Sequence, residues 1–150
     1  MKVINKHKRT ISQPIQKIAL LFKTLATDKW PPMKLDKGLQ EGSKGGHGPI
    51  RYHVIDYQEG KSIKFQFDRP LGFDGYHKFE LTSLEADVTE LTHTIDMTTA
   101  GFGTIKWLFA IRWLHDAYIE DAFDKVENYF TTVKKKSEWR WWVNPHCVLT

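Results

Sequence analysis

The stretch TIKWLFAIRWLHDAYIEDAFDKVENYFTTV, Thr104 to Val133, decides the fold of this chain. Successive residues of an α-helix turn by about 100°, and at that spacing Leu108, Ile111, Ile119, Ala122, Val126, Tyr129 and Val133 fall in one apolar stripe centred on His115. The spacing predicts a long amphipathic helix that covers an apolar surface and points a titratable imidazole at it. A buried polar group costs free energy unless it finds a partner, so the facing surface, or a molecule bound there, should answer His115.

The chain before this helix supplies the surface. Val3 to Ile11 reads as a strand, ended by Ser12-Gln13-Pro14, where Ser12 suits a helix cap and Pro14 its first turn. A first helix to about Leu25 buries Ile15, Ile18, Ala19, Phe22 and Leu25, and Asp28-Lys29-Trp30-Pro31-Pro32 stops it. A weak strand at Met33 to Leu39 precedes the glycine-rich run Gly42 to Gly48. Strands at Ile50 to Tyr57 and Ser62 to Phe67 are separated by Gln58-Glu59-Gly60-Lys61, a hairpin signal. After a loop at Arg69 to Gly75, strands at Tyr76 to Thr82 and Val88 to Thr98 bracket a turn at Ser83 to Asp87, and Gly101 and Gly103 introduce the long helix. Short connections between consecutive strands imply an antiparallel sheet with both helices on its one buried face. The expected class is α+β: a helix-grip fold in which a curved antiparallel sheet wraps around a long C-terminal helix.

A chain of 150 residues, 41% hydrophobic and 13% aromatic, suits one domain with a substantial core. The lone cysteine, Cys147, excludes an internal disulfide and fits a reducing compartment. Met1 to Thr10 lacks the apolar run of a signal peptide and no stretch reaches the length of a membrane span, so a cytoplasmic protein without stable membrane insertion is expected. The net charge of +4 and pI near 9.1 do not point to nucleic acid. Lys2, Lys6, Lys8 and Arg9 lie at one end, and Lys134, Lys135, Lys136 and Arg140 at the other, with acidic residues between them.

The order of elements, together with Gly45-Gly46-His47-Gly48-Pro49-Ile50-Arg51-Tyr52 and Arg112-Trp113-Leu114-His115-Asp116-Ala117, resembles the polyketide cyclase/dehydrase and lipid-transport superfamily, also called START-like or SRPBCC. The likeness is to a bacterial branch whose function is not established, and it covers about residues 1 to 133. The resemblance implies a hydrophobic cavity between helix and sheet. It implies no reaction, since such proteins include lipid carriers, aromatic-ring cyclases and chaperone co-activators. No catalytic motif of the cyclases is matched residue by residue.

Strand parity adds two histidines to the one on the helix. His77 alternates in phase with Phe79 and Leu81, and His93 with Leu91, Ile95 and Met97, so both should face the cavity. Ile63, Phe65 and Phe67 share one side of their strand. In the strand from Ile50 to Tyr57 either face serves, because His53, Ile55 and Tyr57 oppose the equally apolar Ile50, Tyr52 and Val54. The expected ligand-binding set is His77, His93, His115, Phe65, Phe67, Phe79, Leu91, Ile95, Met97, Leu108, Ile111 and Tyr118.

Three readings of the imidazoles stay open: core histidines satisfied locally, a polar floor holding the head group of a bound lipid or aromatic acid, and catalysis or metal binding. Ligand spacing such as His-x-x-x-His is missing, so no metal and no cofactor is expected. Asp116, Glu120, Asp124 and Glu127 project about 100° or more from His115 and read as a solvated face, with Arg112 and Asp116 as an i, i+4 pair. The first functional reading is therefore binding of a small hydrophobic molecule: a lipid, a polyketide-like compound or an aromatic. The alternative is a cyclase or dehydratase using cavity histidines for acid-base catalysis, with Tyr52, Tyr57 and Tyr118 as candidate phenols.

The glycine-rich run lacks the order of a phosphate-binding loop and precedes a strand, so it reads as a lid or turn at the cavity mouth, where His47 and Arg51 can meet an anion. From Lys134 to Thr150 the chain becomes a basic, tryptophan-rich tail containing Trp139, Trp141 and Trp142. Tryptophans seek cover, so this tail is expected to pack on its own domain or on a second copy in a homodimer.

Overall fold

The computed structural model of the chain describes residues 1–24 and 33–136. Seven strands form one antiparallel curved sheet: β1 (Lys2–Ile11), β2 (Lys34–Leu35), β3 (Lys44–His47), β4 (Ile50–Gln58), β5 (Ser62–Arg69), β6 (Phe73–Glu85) and β7 (Val88–Thr99). Their order is β1-β7-β6-β5-β4-β3-β2, so the first strand closes against the last and every other neighbour in the sheet is consecutive in sequence. Helix α1 (Ile15–Phe22) follows β1, and a 29-residue C-terminal helix follows β7. That helix has three parts: α2 (Phe102–Lys106), a π-helical turn (Trp107–Ile111) and α3 (Arg112–Phe130). One core cluster joins the inward residues of the sheet to Ile18, Leu21 and Phe22 of α1 and to Ile119, Ala122, Phe123 and Val126 of α3. This is the helix-grip arrangement that the sequence order predicts.

Alternation sets which face of each strand is buried. Ile63, Phe65 and Phe67 of β5, His77, Phe79 and Leu81 of β6, and Leu91, His93, Ile95 and Met97 of β7 all turn inward. On β4 the buried side is Ile50, Tyr52 and Val54, while His53 turns outward to pair with Asp68 at 2.9 Å. A register shift between Val54 and Asp56 then brings Tyr57 back against the core and leaves Ile55 exposed.

Local expectations fail in four places. Ser12 makes no helix cap: Pro14 itself occupies the N-cap with extended ψ, and no side chain bonds to the first turn. The weak strand from Met33 shrinks to Lys34–Leu35. The glycine-rich run is not a free lid, because Lys44 to His47 pairs with both β2 and β4. Its glycines permit that, since a Cβ on Gly45 would lie 1.9 Å from the Lys34 carbonyl oxygen and one on Gly46 would lie 2.1 Å from that of Ile50.

The fourth is the phase of the helix. A π-helical turn holds one residue more than an α-turn, so residues before it are rotated by about 100° relative to a continuous α-helix. Trp107 thereby takes the buried place expected for Leu108, at 3% exposure against 40%. Beyond His115 the buried stripe leans toward Phe123 and Phe130, which leaves Tyr129 exposed; the helix ends at Phe130, and Val133 lies outside it in solvent.

Lys134 and Lys135 turn back onto the end of α3, Lys135 bonding Glu127 at 2.5 Å. The tryptophans of the tail, Leu25 and the Asp28 to Pro32 stop lie outside the described residues. Among the described residues no helix is long and apolar enough to cross a membrane.

Candidate functional site

A cavity of about 840 Å³ lies between the inner face of the sheet and the C-terminal helix. Tyr52, Phe67, Phe79 and Ile95 line it from the sheet, and Trp107, Ile111, Leu114 and Tyr118 from the helix. The glycine-rich strand β3 and the Gly48-Pro49 turn form part of its rim. The wall is mostly apolar, with histidines set into it.

His77, His93 and His115 all border this space. They sit on three elements that the sequence separates widely, and register brings them together: His93 pairs with Phe79 across β6–β7, while His77 pairs with Phe65 across β5–β6. His93 Nε2 lies 3.3 Å from His77 Nδ1, so in the neutral pair one ring donates to the other. The His93 and His115 rings are 4.9 Å apart, centre to centre. Phe65 stacks on His77 at 4.6 Å, and Tyr52 meets the same ring edge-on at 4.8 Å. At the rim, His47 Nδ1 lies 3.2 Å from the Tyr52 hydroxyl.

Burial keeps these rings neutral, and of the four only His115 has a carboxylate beside it, Asp116 at 3.5 Å. Desolvation pushes His77 and His93 well below the usual histidine range, and the neighbouring imidazoles push the same way. His47 is lowered to about 4 by burial, then by His115 and Arg51. His115 is also lowered by burial, against the opposing pull of Asp116. Burial raises the Tyr52 phenol above its ordinary value. His77 Nε2, His93 Nδ1 and His115 Nδ1 are buried without a hydrogen-bond partner.

Four of the expected ligand-binding residues do not reach the cavity. Phe65 stands behind His77, and Leu108 is carried to the surface by the π-turn. Leu91, paired with Arg9 and Leu81, and Met97, packed on Gly75, are core residues at positions along β7 that the cavity does not reach. Parity fixes the face of a strand and says nothing about position along it. Conversely, Phe73, Trp107 and Leu114 join the wall, together with Tyr52, expected as a candidate phenol, and His47, expected at the mouth. Tyr52 and His47 carried a signal in their polarity, whereas Trp107 carried none without the π-turn.

The other flank of α3 is not the solvated face expected. Arg9 of β1 bonds Asp124 (2.8 Å), Glu127 (2.7 Å) and Glu120 (2.8 Å), and Asp124 is 6% exposed. His7 reaches Glu120 at 2.8 Å and Asp116 at 3.1 Å. Burial lowers the His7 pKa, but the hydrogen bonds to Asp116 and Glu120 outweigh it and leave it raised. Burial raises Asp116, yet its contacts with His115, His7 and Asn5 hold the carboxyl well below the usual range. Arg112 approaches Asp116 at 4.0 Å, as the i, i+4 spacing predicts. The sequence signal for this network is the odd parity of β1, which puts Asn5, His7 and Arg9 in phase with buried Val3 and Ile11.

No protein-family model matches the chain, and no curated protein matches it in sequence. Solved structures do match it in fold. It is similar to a START superfamily protein from Mycobacterium smegmatis, with a TM-score of 0.58 at 13% identity over 85% of this chain and 99% of that one. Norcoclaurine synthase from Thalictrum flavum, in complex with dopamine and hydroxybenzaldehyde, gives a TM-score of 0.64 at 11% identity over 89% of this chain and 90% of its own. CalU16 from Micromonospora echinospora gives 0.58 at 13% identity over 99% and 88%. At such identities the likeness is one of backbone arrangement, and together with the sheet order and the 29-residue helix it shows the helix-grip fold that these structures share.

Proposed function

We propose that the cavity binds a small hydrophobic molecule carrying a compact polar group, the apolar body resting on Phe67, Phe79, Trp107 and Tyr118 and the polar group meeting the neutral histidines. One observation carries this reading: the unpartnered nitrogens His77 Nε2 and His93 Nδ1 belong to residues that line a mostly apolar cavity of about 840 Å³. The volume falls within the range of small-molecule pockets, and a few convergent polar groups on an apolar wall are how such pockets orient a ligand. Neutral imidazoles offer hydrogen bonds and no charge, which favours a hydroxyl, phenol or protonated acid over a permanent anion. Norcoclaurine synthase, with dopamine and hydroxybenzaldehyde bound, supplies a precedent for phenolic aromatics in this fold.

Native mass spectrometry of the purified protein tests the reading through any co-purified hydrophobic mass, followed by titration with an environment-sensitive hydrophobic dye and a series of phenolic aromatics. Dye fluorescence that rises on binding and is displaced by a phenol is the expected result. No co-purified ligand together with no dye or phenol binding at millimolar concentration overturns it.

A second reading, acid-base catalysis of cyclase or dehydratase type, is favoured by one contact, His47 Nδ1 at 3.2 Å from the Tyr52 hydroxyl. A neutral imidazole beside a phenol can take and return a proton. Turnover of a bound ligand that disappears in Tyr52→Phe while binding persists is the result this reading requires.

A further inference from the structure

We propose that His7, His115 and Asp116 form a binding site for a divalent transition-metal ion of the zinc type, between β1 and α3, adjoining the cavity wall at His115. One ligand atom from each of these residues lies within 4.8 Å of the other two. His7 Nε2 is 3.1 Å from Asp116 Oδ1, and His115 Nδ1 is 3.5 Å from the same oxygen. A tetrahedral zinc with bonds of about 2.0–2.1 Å holds its ligand atoms about 3.3–3.4 Å apart, so two edges of the tetrahedron are already near length. Two imidazoles and a carboxylate are a donor set that suits zinc and its neighbours in preference to calcium or magnesium.

A second, independent observation points to a ligand. His115 has a side chain 10% exposed, and its Nδ1 is buried, faces Asp116 and has no hydrogen-bond partner. Its contact with Asp116, at 3.5 Å, is longer than an ordinary hydrogen bond and leaves this nitrogen only weakly answered. Asn5 repeats the pattern: its amide nitrogen bonds Asp116 Oδ1 at 2.9 Å, and its Oδ1 is buried without a partner. Turning the amide over would present that oxygen to the same point as a fourth donor.

The surroundings are those of a metal-bound histidine. A ligating imidazole commonly donates its other N–H to a carboxylate, which fixes ring orientation and tautomer. His7 Nδ1 meets Glu120 Oε1 at 2.8 Å, and Arg9 holds Glu120 Oε2 at 2.8 Å. Committing His115 Nδ1 to an ion leaves its proton on Nε2, so the ion would also set the hydrogen-bonding character of an imidazole in the cavity wall.

The test is titration of the full chain, stripped with chelator, with zinc by calorimetry and with cobalt(II) by visible absorption. One equivalent of zinc should bind, and cobalt should give the intense bands of a four-coordinate site. His7→Ala and Asp116→Asn should each weaken binding at least tenfold. His7→Ala also breaks a bridge between β1 and α3, so Glu120→Gln, which touches no ion, provides a separate measure: its affinity should fall by roughly 10–100-fold with the circular dichroism spectrum unchanged. The double substitution His146→Ala/Cys147→Ala removes other soft donors and should leave binding intact. Stoichiometric binding that survives both His7→Ala and Asp116→Asn, binding that vanishes in the His146/Cys147 variant, or no binding at micromolar zinc overturns the proposal.

Discussion

The two flanks of the C-terminal helix use the same residue type in opposite states. Toward the cavity, His77, His93 and His47 face aromatic rings and one another, and burial keeps them neutral. Toward β1, His7 is also substantially buried, yet Asp116 and Glu120 face it and its pKa is raised. Burial alone therefore does not set the charge of a histidine here; the carboxylate on the opposing element does. His115 stands between the two regimes, lowered by burial and pulled up by Asp116.

The largest effect should come from breaking the charged flank. Arg9 faces three carboxylates, of which Asp124 is almost fully buried, and its guanidinium carbon also sits 6.0 Å from the Phe123 ring centre. Arg9→Met keeps much of the aliphatic stem but removes the cation that the three carboxylates share; Glu120 keeps His7 and Glu127 keeps Lys135, and removing one partner of a buried pair typically costs about 3–5 kcal/mol. Asp124→Asn relieves part of the negative excess and should cost less than half as much. Urea denaturation at neutral pH measures both. Equal losses in the two variants would mean that packing, and not charge, holds β1 to α3.

Acid should come next, acting on the neutral flank. His47, at about 4 in the folded chain, takes up its proton in the unfolded chain near 6.5, so its contribution is complete above pH 6.5 and falls as pH drops toward 4. At about 1.4 kcal/mol per pH unit that loss amounts to up to about 3 kcal/mol, with His77 and His93 adding in the same direction. The groups facing His47, namely Tyr52, Tyr118, Arg51 and His115, include no carboxylate to offset it. His7 runs the other way: its contribution is complete below pH 6.5 and is lost as pH rises through its raised value. Stability plotted against pH should decline on both sides, His47→Gln flattening the acid limb and His7→Gln the alkaline one. An acid limb unchanged in His47→Gln would show that this ring is not held neutral by the fold.

This contrast was half legible in the sequence. Two-residue alternation placed His77 and His93 inward because β5, β6 and β7 are long, regular and buried on one side. The charged flank was misread because a helical wheel shows only the angle from the core stripe; β1, added beside β7 at the sheet edge, brings Arg9 to the side where Asp124 projects. Leu108 failed for a different reason. The wheel assumes an unbroken α-helix, and the apolar run Trp107 to Ile111 gives no local sign of the extra residue in its turn.

The smallest effect on stability, and the most informative about function, should come from His115→Leu. Leucine keeps the approximate volume at a site that is already buried, and it removes a polar nitrogen without a hydrogen-bond partner, so the fold should change in stability by less than about 1 kcal/mol in either direction. Asp116 keeps its bonds from Asn5 and His7, so the charged flank should survive. On the cavity side the loss is different in kind: a phenol or acid that hydrogen-bonds His115 should bind more weakly by about 1–3 kcal/mol, the cost of a missing buried hydrogen bond. Denaturation and ligand titration on the same variant separate the outcomes. A stable protein with weakened binding places His115 in contact with ligand, whereas a loss of several kcal/mol in stability with binding unchanged would make it a strut between the two flanks.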